Sequence, residues 1–138
     1  MNNLLPLLAV ETSSDLCSVA VMIDKNVLVE MNFLQKHVHS EKLIVMIDDV
    51  IKSTGIETKD LKSIALSIGP GSFTGLRIGL AAVKGIAFGC KLPIIPVPTY
   101  SAHALHISQY LSKESRFSIV TNASIDELYY SKFAKKGN

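Results

Sequence analysis

The segment whose residues are best placed to bind a ligand is glycine-rich and runs from Ser67 to Gly89, SIGPGSFTGLRIGLAAVKGIAFG. A glycine-rich turn that opens a helix exposes backbone N–H groups, and these groups bind anions. The turn lacks the lysine–serine pair of a Walker motif and does not have GxGxxG spacing. A structural strand-to-helix turn is therefore favoured over a phosphate-binding loop.

A second polar turn follows the first apolar run and offers side-chain oxygens. Its candidate phosphate-contacting residues are Glu11, Thr12, Ser13 and Asp15. Carboxylates and hydroxyls at such a turn can hold phosphate or magnesium, but the same residues are typical of ordinary turns. We favour the ordinary turn.

The histidines and serines do not form a recognisable catalytic set. His37 and His39 are two residues apart, and His103 and His106 are three apart. Solvated or capping histidines are far commoner than metal ligands, so neither pair is favoured as a metal site. No serine lies in a G-x-S-x-G elbow. We therefore expect neither a catalytic residue nor a metal site in this chain.

The helix predicted after the glycine-rich turn carries an unusual number of glycines. Helical spacing places small residues on one stripe: Gly75, Gly79, Ala82, Gly85 and Gly89. Each helical glycine costs about 0.5–1 kcal/mol relative to alanine, and close approach of another backbone is one way to offset that cost. The stripe is predicted to face either a neighbouring helix or a second protein. A second stripe is predicted to face the sheet: Leu76, Leu80, Val83 and Ala87.

The elements that must position these residues follow from hydrophobic periodicity. Helices are predicted over 40–54, 73–89 and 99–111, with Ser40, Ser72 or Thr74, and Thr99 or Ser101 as caps. Strands are predicted over 4–10, 16–23, 27–34, 62–68, 93–97, 117–121 and 128–133, with a hairpin turn at 24–26. The order βββ-α-β-α-β-α-ββ predicts an α/β fold with a mixed sheet and helices on its faces. The ribonuclease-H-like lobe of the actin and sugar-kinase superfamily has this order, an analogy that does not specify function.

The composition describes an ordinary globular domain. The chain has 138 residues, 48% of them hydrophobic, and a net charge of +2. Such a balance does not predict autonomous, charge-driven binding to nucleic acid. Cys17 and Cys90 are expected to be buried thiols in a reducing compartment. The run from Leu4 to Val10 is too short for a signal peptide or membrane span, so we expect a soluble, cytoplasmic protein with no membrane partner.

The glycine-rich segment closely resembles a family signature, SxGPGSFTGLRxGLxxxKGxA, of the TsaB proteins, which are also called YeaZ. Three further segments match in the same order: ETSSDLCSVAV, HSEKL and PIIPVPTYSAHA. TsaB proteins are paralogues of TsaD, the threonylcarbamoyl-transferase subunit of the former glycoprotease family. The resemblance identifies the chain as the N-terminal lobe of a TsaB-type protein.

The resemblance implies a non-catalytic partner subunit in threonylcarbamoyladenosine modification of tRNA. It implies pairing with TsaD through the first two helices, an assembly completed by the ATPase TsaE, and a homodimer when TsaD is absent. ATP or ADP and the metal would belong to the partner subunits, and tRNA would be reached only through the complex. TsaD has two metal-binding histidines four residues apart. Here Thr99 stands at the first position and His103 at the second.

The implied partner interface combines the first helix with the small-residue stripe of the second. Its predicted residues are Ser40, Leu43, Ile47, Gly75, Arg77, Gly79, Ala82 and Gly85. Gly79→Leu is then expected to abolish pairing and leave the lobe folded. The alternative function is a nucleotide- or metal-dependent enzyme of the same superfamily, either an ATPase or a glycoprotease-like peptidase.

The resemblance also divides the chain. Residues 1–115 are predicted to form the N-terminal lobe, and residues 116–138 to begin a second lobe that is truncated or absent. The segment TNASIDELYYSKF resembles the strand that opens the second lobe in TsaB proteins. It has Asn122 and Ser124 where that family has aspartate and arginine.

Overall fold

The computed structural model describes residues 4–24, 28–34 and 39–137, and its elements follow the predicted order. The strands are β1 (Leu7–Glu11), β2 (Leu16–Met22), β3 (Leu28–Leu34), β4 (Ser63–Ser67), β5 (Ile94–Val97), β6 (Arg116–Asn122) and β7 (Leu128–Ala134). The helices are α1 (His39–Ser53), α2 (Phe73–Cys90) and α3 (Thr99–Ser108), with a short 3-10 turn at Thr58–Asp60.

Five strands form one mixed sheet in the order β3-β2-β1-β4-β5. β2 pairs antiparallel with β1 and β3, whereas β4 pairs parallel with β1 and β5. Antiparallel strands need only short turns, and the parallel strands are connected by α1 and α2. This arrangement confirms the predicted mixed α/β fold.

Two predicted elements, β1 and α3, each differ from the structure by three residues at one end. β1 begins at Leu7 rather than Leu4, because the apolar run includes Pro6, which has no N–H for a sheet ladder. α3 ends at Ser108 rather than Leu111. The α3 cap predicted at Thr99 or Ser101 is wrong: Pro98 occupies that position without a side-chain cap. The hairpin turn predicted at 24–26 lies largely outside the described residues.

The main core lies between one side of the large sheet and helices α1 and α2. Alternate strand residues point into it, as expected for a sheet with one covered face: Leu8, Val10, Cys17, Val19, Val21, Ile64 and Leu66. The helices contribute Leu43, Met46, Ile47, Val50, Ile51, Val83 and Ala87. α1 ends at Ser53, and Gly55, two residues later, has a φ of 74°, which suits glycine after a helix C-terminus.

The last two strands form a separate two-stranded sheet, β6–β7, with its own small core. Ile119 is buried there against Tyr100 and Ala104 of α3. Lys135 fixes the end of this hairpin to α3, because its Nζ donates to the carbonyls of Ser108 and Leu111, both at 2.8 Å. The division of the chain into lobes at residues 115 and 116 stays a prediction.

Among the residues that the structure describes, α2 is the one helix long and apolar enough to cross a membrane, judged by length and composition alone. Its buried residues belong to the interior of the lobe: Gly75, Gly79, Val83 and Ala87. The core helix of a folded lobe can have the same length and composition, and one side of α2 packs on the core of this lobe.

Candidate functional site

A cleft of about 470 Å³ opens where the polar turn after β1, the glycine-rich loop before α2, helix α3 and the β6–β7 hairpin meet. Its lining combines polar turn residues with four aromatic rings, those of Phe73, Tyr100, His103 and Tyr129. The lining residues are Ser13, Ser14, Asp15, Pro70, Gly71, Ser72, Phe73, Thr99, Tyr100, His103, Thr121, Asn122, Ala123 and Tyr129.

The floor of the cleft is formed by two turns in direct contact. The N–H of Ser72 donates to the carbonyl of Ser13 at 2.6 Å. A Cβ on Gly71 would overlap that same carbonyl, so glycine is required for the two backbones to meet. Ser72 also caps α2, since its hydroxyl accepts from the N–H of Gly75 at 3.2 Å. The predicted cap at Ser72 is confirmed.

The first half of the small-residue stripe of α2 packs against this lobe's own backbone. A Cβ on Gly75 would overlap the carbonyl oxygen of Thr12, and a Cβ on Gly79 would overlap the Thr12 hydroxyl. Both glycines are buried. Their prediction as partner-interface residues is wrong, because the backbone that approaches them belongs to the turn after β1. Gly79→Leu would consequently disrupt the lobe itself and does not test pairing.

The second half of the stripe is divided between core and solvent. Ala82 is half-buried and packs against the core. Gly85 and Gly89 are exposed, and a methyl group at either position would meet no atom within 4 Å. The predicted sheet-facing stripe is also wrong in part, since Leu80 is exposed. The buried line of α2 instead runs at four-residue spacing from Gly75 to Ala87.

On α1, the predicted interface residues Leu43 and Ile47 are buried in the core of the lobe. Their assignment to a partner surface is wrong, because the face with the strongest helical periodicity is the one that covers the sheet. The side chain of Ser40 lies outside the described part of the structure. Arg77 is exposed, and its guanidinium carbon lies 4.0 Å from the ring centroid of Phe73.

The exposed side of α1 and α2 is apolar at several positions, and we call it the outer helix surface: Ile44, Val45, Ala81, Gly85 and Phe88. Phe88 is 89% exposed, and Ile44 and Val45 are each 54% exposed. The two helices contact each other and cover the same sheet face, so their outer sides adjoin. Sequence analysis predicted Gly85 as an interface residue but missed the other four. The available signal was large apolar side chains opposite the buried stripe.

The four candidate phosphate-contacting residues do not share one location. Ser13 and Asp15 line the cleft. Glu11 accepts from the N–H of Ser13 at 2.5 Å and borders a separate groove on the uncovered face of the large sheet. Thr12 is fully buried, and its hydroxyl has no hydrogen-bond partner among the described residues. The structure therefore brings two of the four to the cleft.

Thr99, the residue predicted to occupy the position of a metal-binding histidine, forms hydrogen bonds that have a structural role. Its hydroxyl accepts from the N–H of Gly69 at 3.1 Å and lies 3.1 Å from the hydroxyl of Ser67. The N–H of Thr99 in turn donates to the carbonyl of Gly69 at 2.9 Å. Thr99 is buried. These bonds hold the glycine-rich loop against α3.

The histidines of α3 contact different aromatic rings. The His103 ring lies 6.4 Å from that of Tyr100 and lines the cleft, whereas His106 lies 5.7 Å from Tyr110. No group of three or more histidine, cysteine, aspartate or glutamate side chains suited to a metal occurs in the described ranges. His37 and the side chain of His39 fall outside those ranges.

The two cysteines are unpaired thiols with different surroundings. Cys17 is buried in β2, as predicted, and Cys90 is half-buried at the end of α2. Burial raises the pKa of the Cys17 thiol, and the nearby Glu11 carboxylate raises it further. A raised pKa reduces the thiolate fraction, so Cys17 lacks the chemistry of a nucleophile.

Comparison with known proteins gives the family. The family model described as TsaD, tRNA N6-adenosine threonylcarbamoyltransferase, matches residues 28–138. The tRNA threonylcarbamoyladenosine biosynthesis protein TsaB of Haemophilus influenzae is 32% identical over 132 residues, which cover 96% of this chain. The TsaB protein of Escherichia coli is 30% identical, also over 96% of the chain. A tRNA N6-adenosine threonylcarbamoyltransferase of Streptococcus equi subsp. zooepidemicus is 34% identical over 72% of the chain.

Solved structures agree with these relatives. A protein of Pseudomonas aeruginosa described as similar to the peptidase YeaZ superposes with a TM-score of 0.85 at 28% identity. YeaZ from Pseudomonas aeruginosa gives a TM-score of 0.83, also at 28% identity. Both alignments cover 94% of this chain and 59% of the solved chain. The chain spans 55% of the length of the Haemophilus TsaB protein and 56% of the Escherichia one. It belongs to the TsaB family, within the wider family of the threonylcarbamoyltransferase TsaD.

Proposed function

We propose that this chain is a non-catalytic partner subunit in threonylcarbamoyladenosine modification of tRNA, acting in the cytoplasm. Relatives named as tRNA threonylcarbamoyladenosine biosynthesis proteins support the pathway. The similarity to threonylcarbamoyltransferases supports a TsaD subunit as the partner, because a twofold interface uses the same patch on both subunits and a chain of the same fold can offer an equivalent patch. In this proposal TsaE completes the assembly, and the nucleotide and the metal are bound by the partner subunits.

The outer helix surface is the observation that carries the proposal. Isolated exposed apolar side chains are common, but adjoining ones on two packed helices indicate an interaction surface. Phe88 supplies a large ring that a partner can bury, and Gly85 next to it leaves room for a partner helix to approach closely. Burying a phenylalanine side chain is worth about 1.5–3 kcal/mol, so Phe88 is expected to dominate the contact. The same surface would form the homodimer when TsaD is absent.

Two features of the cleft support a non-catalytic role. Thr99 stands where TsaD has a metal-binding histidine, and its hydroxyl is engaged by Gly69 and Ser67. The remaining histidine, His103, faces an aromatic ring rather than a second ligand. One histidine with hydroxyl neighbours is a poor site for a divalent metal.

Phe88→Asp tests the proposal. The variant places a charge on the outer helix surface without touching the core, since Phe88 is 89% exposed, so the lobe should stay folded. In co-purification with a TsaD subunit, we expect the wild-type chain to be retained and Phe88→Asp to be lost. Light scattering of the chain alone should show a dimer for the wild type and a monomer for the variant.

Ile125→Asp is the matched control, since Ile125 is 99% exposed and lies in the turn between β6 and β7, away from α1 and α2. It introduces the same charge at another exposed apolar position and should leave pairing intact. Equal retention of Phe88→Asp and the wild type would reject the outer helix surface as the interface. Equal loss of both variants would show that the effect comes from charge alone.

A nucleotide- or metal-dependent enzyme is the second candidate, and the polar cleft favours it. Ser13, Asp15 and Ser72 line the cleft beside the N-terminus of α2, and such a terminus attracts phosphate. Calorimetry with magnesium-ATP and with zinc separates the two functions. Heat of binding with a Kd below about 1 mM would favour the enzyme, and its absence would favour the partner role.

A further inference from the structure

Charged side chains of opposite sign border the outer helix surface on its two helices. Asp48 of α1 lies one helical turn after Ile44 and Val45, and Lys84 of α2 lies one turn before Phe88. Asp48 and Lys84 are both exposed. Charged groups around an apolar patch are typical of the rim of a protein–protein interface. The rim of this surface therefore has an acidic group on α1 and a basic group on α2.

The two helices also differ in the net charge of their exposed residues. α2 has two basic residues, Arg77 and Lys84, and no acidic residue. α1 exposes three acidic side chains against two basic ones: Glu41, Asp48, Asp49, Lys42 and Lys52. The described side chains of α1 are thus net negative by one charge, and those of α2 are net positive by two.

These charges are not firmly neutralised within the chain. Arg77 and Lys84 form no ion pair in the part of the chain that the structure describes. Asp48 pairs with Lys52 of its own helix at 2.5 Å, but both side chains are more than half exposed. Water screens such a pair, so the pair contributes little stability and can be exchanged for a cation of another chain. The basic side of the surface is likewise accessible to acidic groups of another chain.

The two helices run side by side in the same direction. α1 leads from β3 to β4 and α2 leads from β4 to β5, and these three strands are parallel to one another. Both helices pack on the same face of the large sheet and contact each other. The outer helix surface therefore has an acidic half on α1 and a basic half on α2, divided by a line along the helices.

A twofold axis can relate two such surfaces in two simple ways, because a twofold interface uses the same patch on both copies. An axis across the helices places α1 over α1 and α2 over α2, and the two copies of α2 then offer only basic side chains to each other. An axis along the helices places α1 over α2 twice, and each contact brings opposite charges together. Like charges that face each other across an interface are unfavourable, so the second arrangement is favoured.

We infer that two copies of this chain pair with α1 of each packed over α2 of the other, so that Asp48 of one protomer meets Lys84 of its partner. A second copy is the occupant that fits this surface, because the chain itself carries both complementary halves. The inference rests on the proposed function, since it uses the same outer helix surface.

The position of the outer helix surface separates it from the β6–β7 hairpin. α1 and α2 cover one face of the large sheet. α3 borders the groove on the other face through Ala102, and the hairpin packs on α3. Pairing through α1 and α2 therefore does not involve the hairpin.

Charge reversal at Asp48 and Lys84 tests the inference in the full chain. Sedimentation velocity over a range of protein concentrations gives the Kd of the homodimer. Asp48→Lys and Lys84→Glu should each raise that Kd about tenfold or more, since a twofold dimer contains the reversed contact twice. The double variant Asp48→Lys/Lys84→Glu restores opposite charges at both contacts and should return to the wild-type Kd.

The double variant also distinguishes the two arrangements of the helices. It should pair with itself but not with the wild type, because every contact in the mixed dimer would join like charges. Mixing differently tagged proteins and capturing one tag measures this choice of partner. The controls Lys62→Glu and Asp126→Lys make the same charge changes at exposed positions outside α1 and α2, and they should keep the wild-type Kd.

The inference is overturned if the wild type is a monomer, if the double variant dimerises as weakly as the single variants, or if the double variant pairs with the wild type. An unchanged Kd in both single variants would overturn it as well. Retention by a TsaD subunit is measured separately with Phe88→Asp. Failure of the charge pairing and failure of the proposed function therefore give different results.

Discussion

Gly75 of helix α2 lies directly against the carbonyl oxygen of Thr12, so close that no Cβ fits between them. Gly79, one turn later, contacts the Thr12 side chain in the same way. These two glycines allow α2 to pack closely against the turn that follows β1. Since the floor of the cleft is made by that turn and the loop before α2, the glycines determine the shape of the cleft.

Alanine substitutions at different glycines of α2 should change the free energy of unfolding in opposite directions. Gly75→Ala and Gly79→Ala force a methyl group into the Thr12 backbone or hydroxyl, and such overpacking costs about 1–3 kcal/mol. Gly85→Ala meets nothing within 4 Å and should stabilise the helix by about 0.5–1 kcal/mol. Urea denaturation of the three variants measures the free energies of unfolding. Equal effects at Gly75 and Gly85 would contradict the packing described here.

Thr99 should be important for stability through its hydroxyl. Thr99→Val removes the acceptor for the Gly69 N–H and leaves that group buried without a partner, at a cost of about 1–3 kcal/mol. Thr99→Ser keeps the hydroxyl and should cost less. Thermal unfolding of both variants provides the comparison. If the serine variant is the less stable of the two, packing of the Thr99 methyl group matters more than the hydrogen bond.

Lys135 should stabilise the attachment of the hairpin to α3. Its ammonium group donates to two carbonyls at the C-terminal end of the helix, where a positive charge is favourable. Lys135→Met keeps most of the side-chain length and should cost about 1–3 kcal/mol. The neighbouring Lys136→Met should change stability by less than about 0.5 kcal/mol, because Lys136 is exposed. Amide hydrogen exchange in β6 and β7 should accelerate in the first variant alone.

The two thiols should differ in reactivity. Burial, and then the Glu11 carboxylate, raise the pKa of Cys17. An alkylating reagent at about pH 8 should therefore modify Cys90 first and reach Cys17 only after denaturation. Cys17→Ala identifies which signal belongs to which thiol. Comparable labelling rates in the folded chain would show that Cys17 is accessible.

The same shift gives a pH dependence of stability. In the unfolded chain the Cys17 thiol ionises at its ordinary pKa of about 9.0, whereas in the folded chain its raised pKa keeps the proton bound to higher pH. Above that value the unfolded state binds fewer protons than the folded state, so the free energy of unfolding should fall as pH rises. Below that pKa the Cys17 thiol is protonated in both states and contributes no pH dependence to the free energy of unfolding. Urea denaturation of the wild type and of Cys17→Ala between about pH 7 and 10 checks the sign.

The sequence alone determined the order of the elements, because strand alternation and helical spacing are local properties. Helix α1 and the Ser72 cap of α2 follow from residues within a few positions of each other. The glycine-rich signature likewise identifies the family, since it depends on residue types and spacing alone. The predicted start of β1 and the predicted end of α3 were less accurate, because both depend on local turn geometry.

Only the tertiary structure decided which face of each helix is covered. Helical spacing predicts that Gly75, Gly79 and Gly85 lie on one stripe of α2. It does not predict that Thr12 contacts Gly75 and Gly79 and leaves Gly85 exposed. Leu43 and Ile47 were assigned to a partner for the same reason, although the sheet covers them. Burial depends on contacts between residues far apart in the chain. A periodic pattern does not show which distant segment makes those contacts.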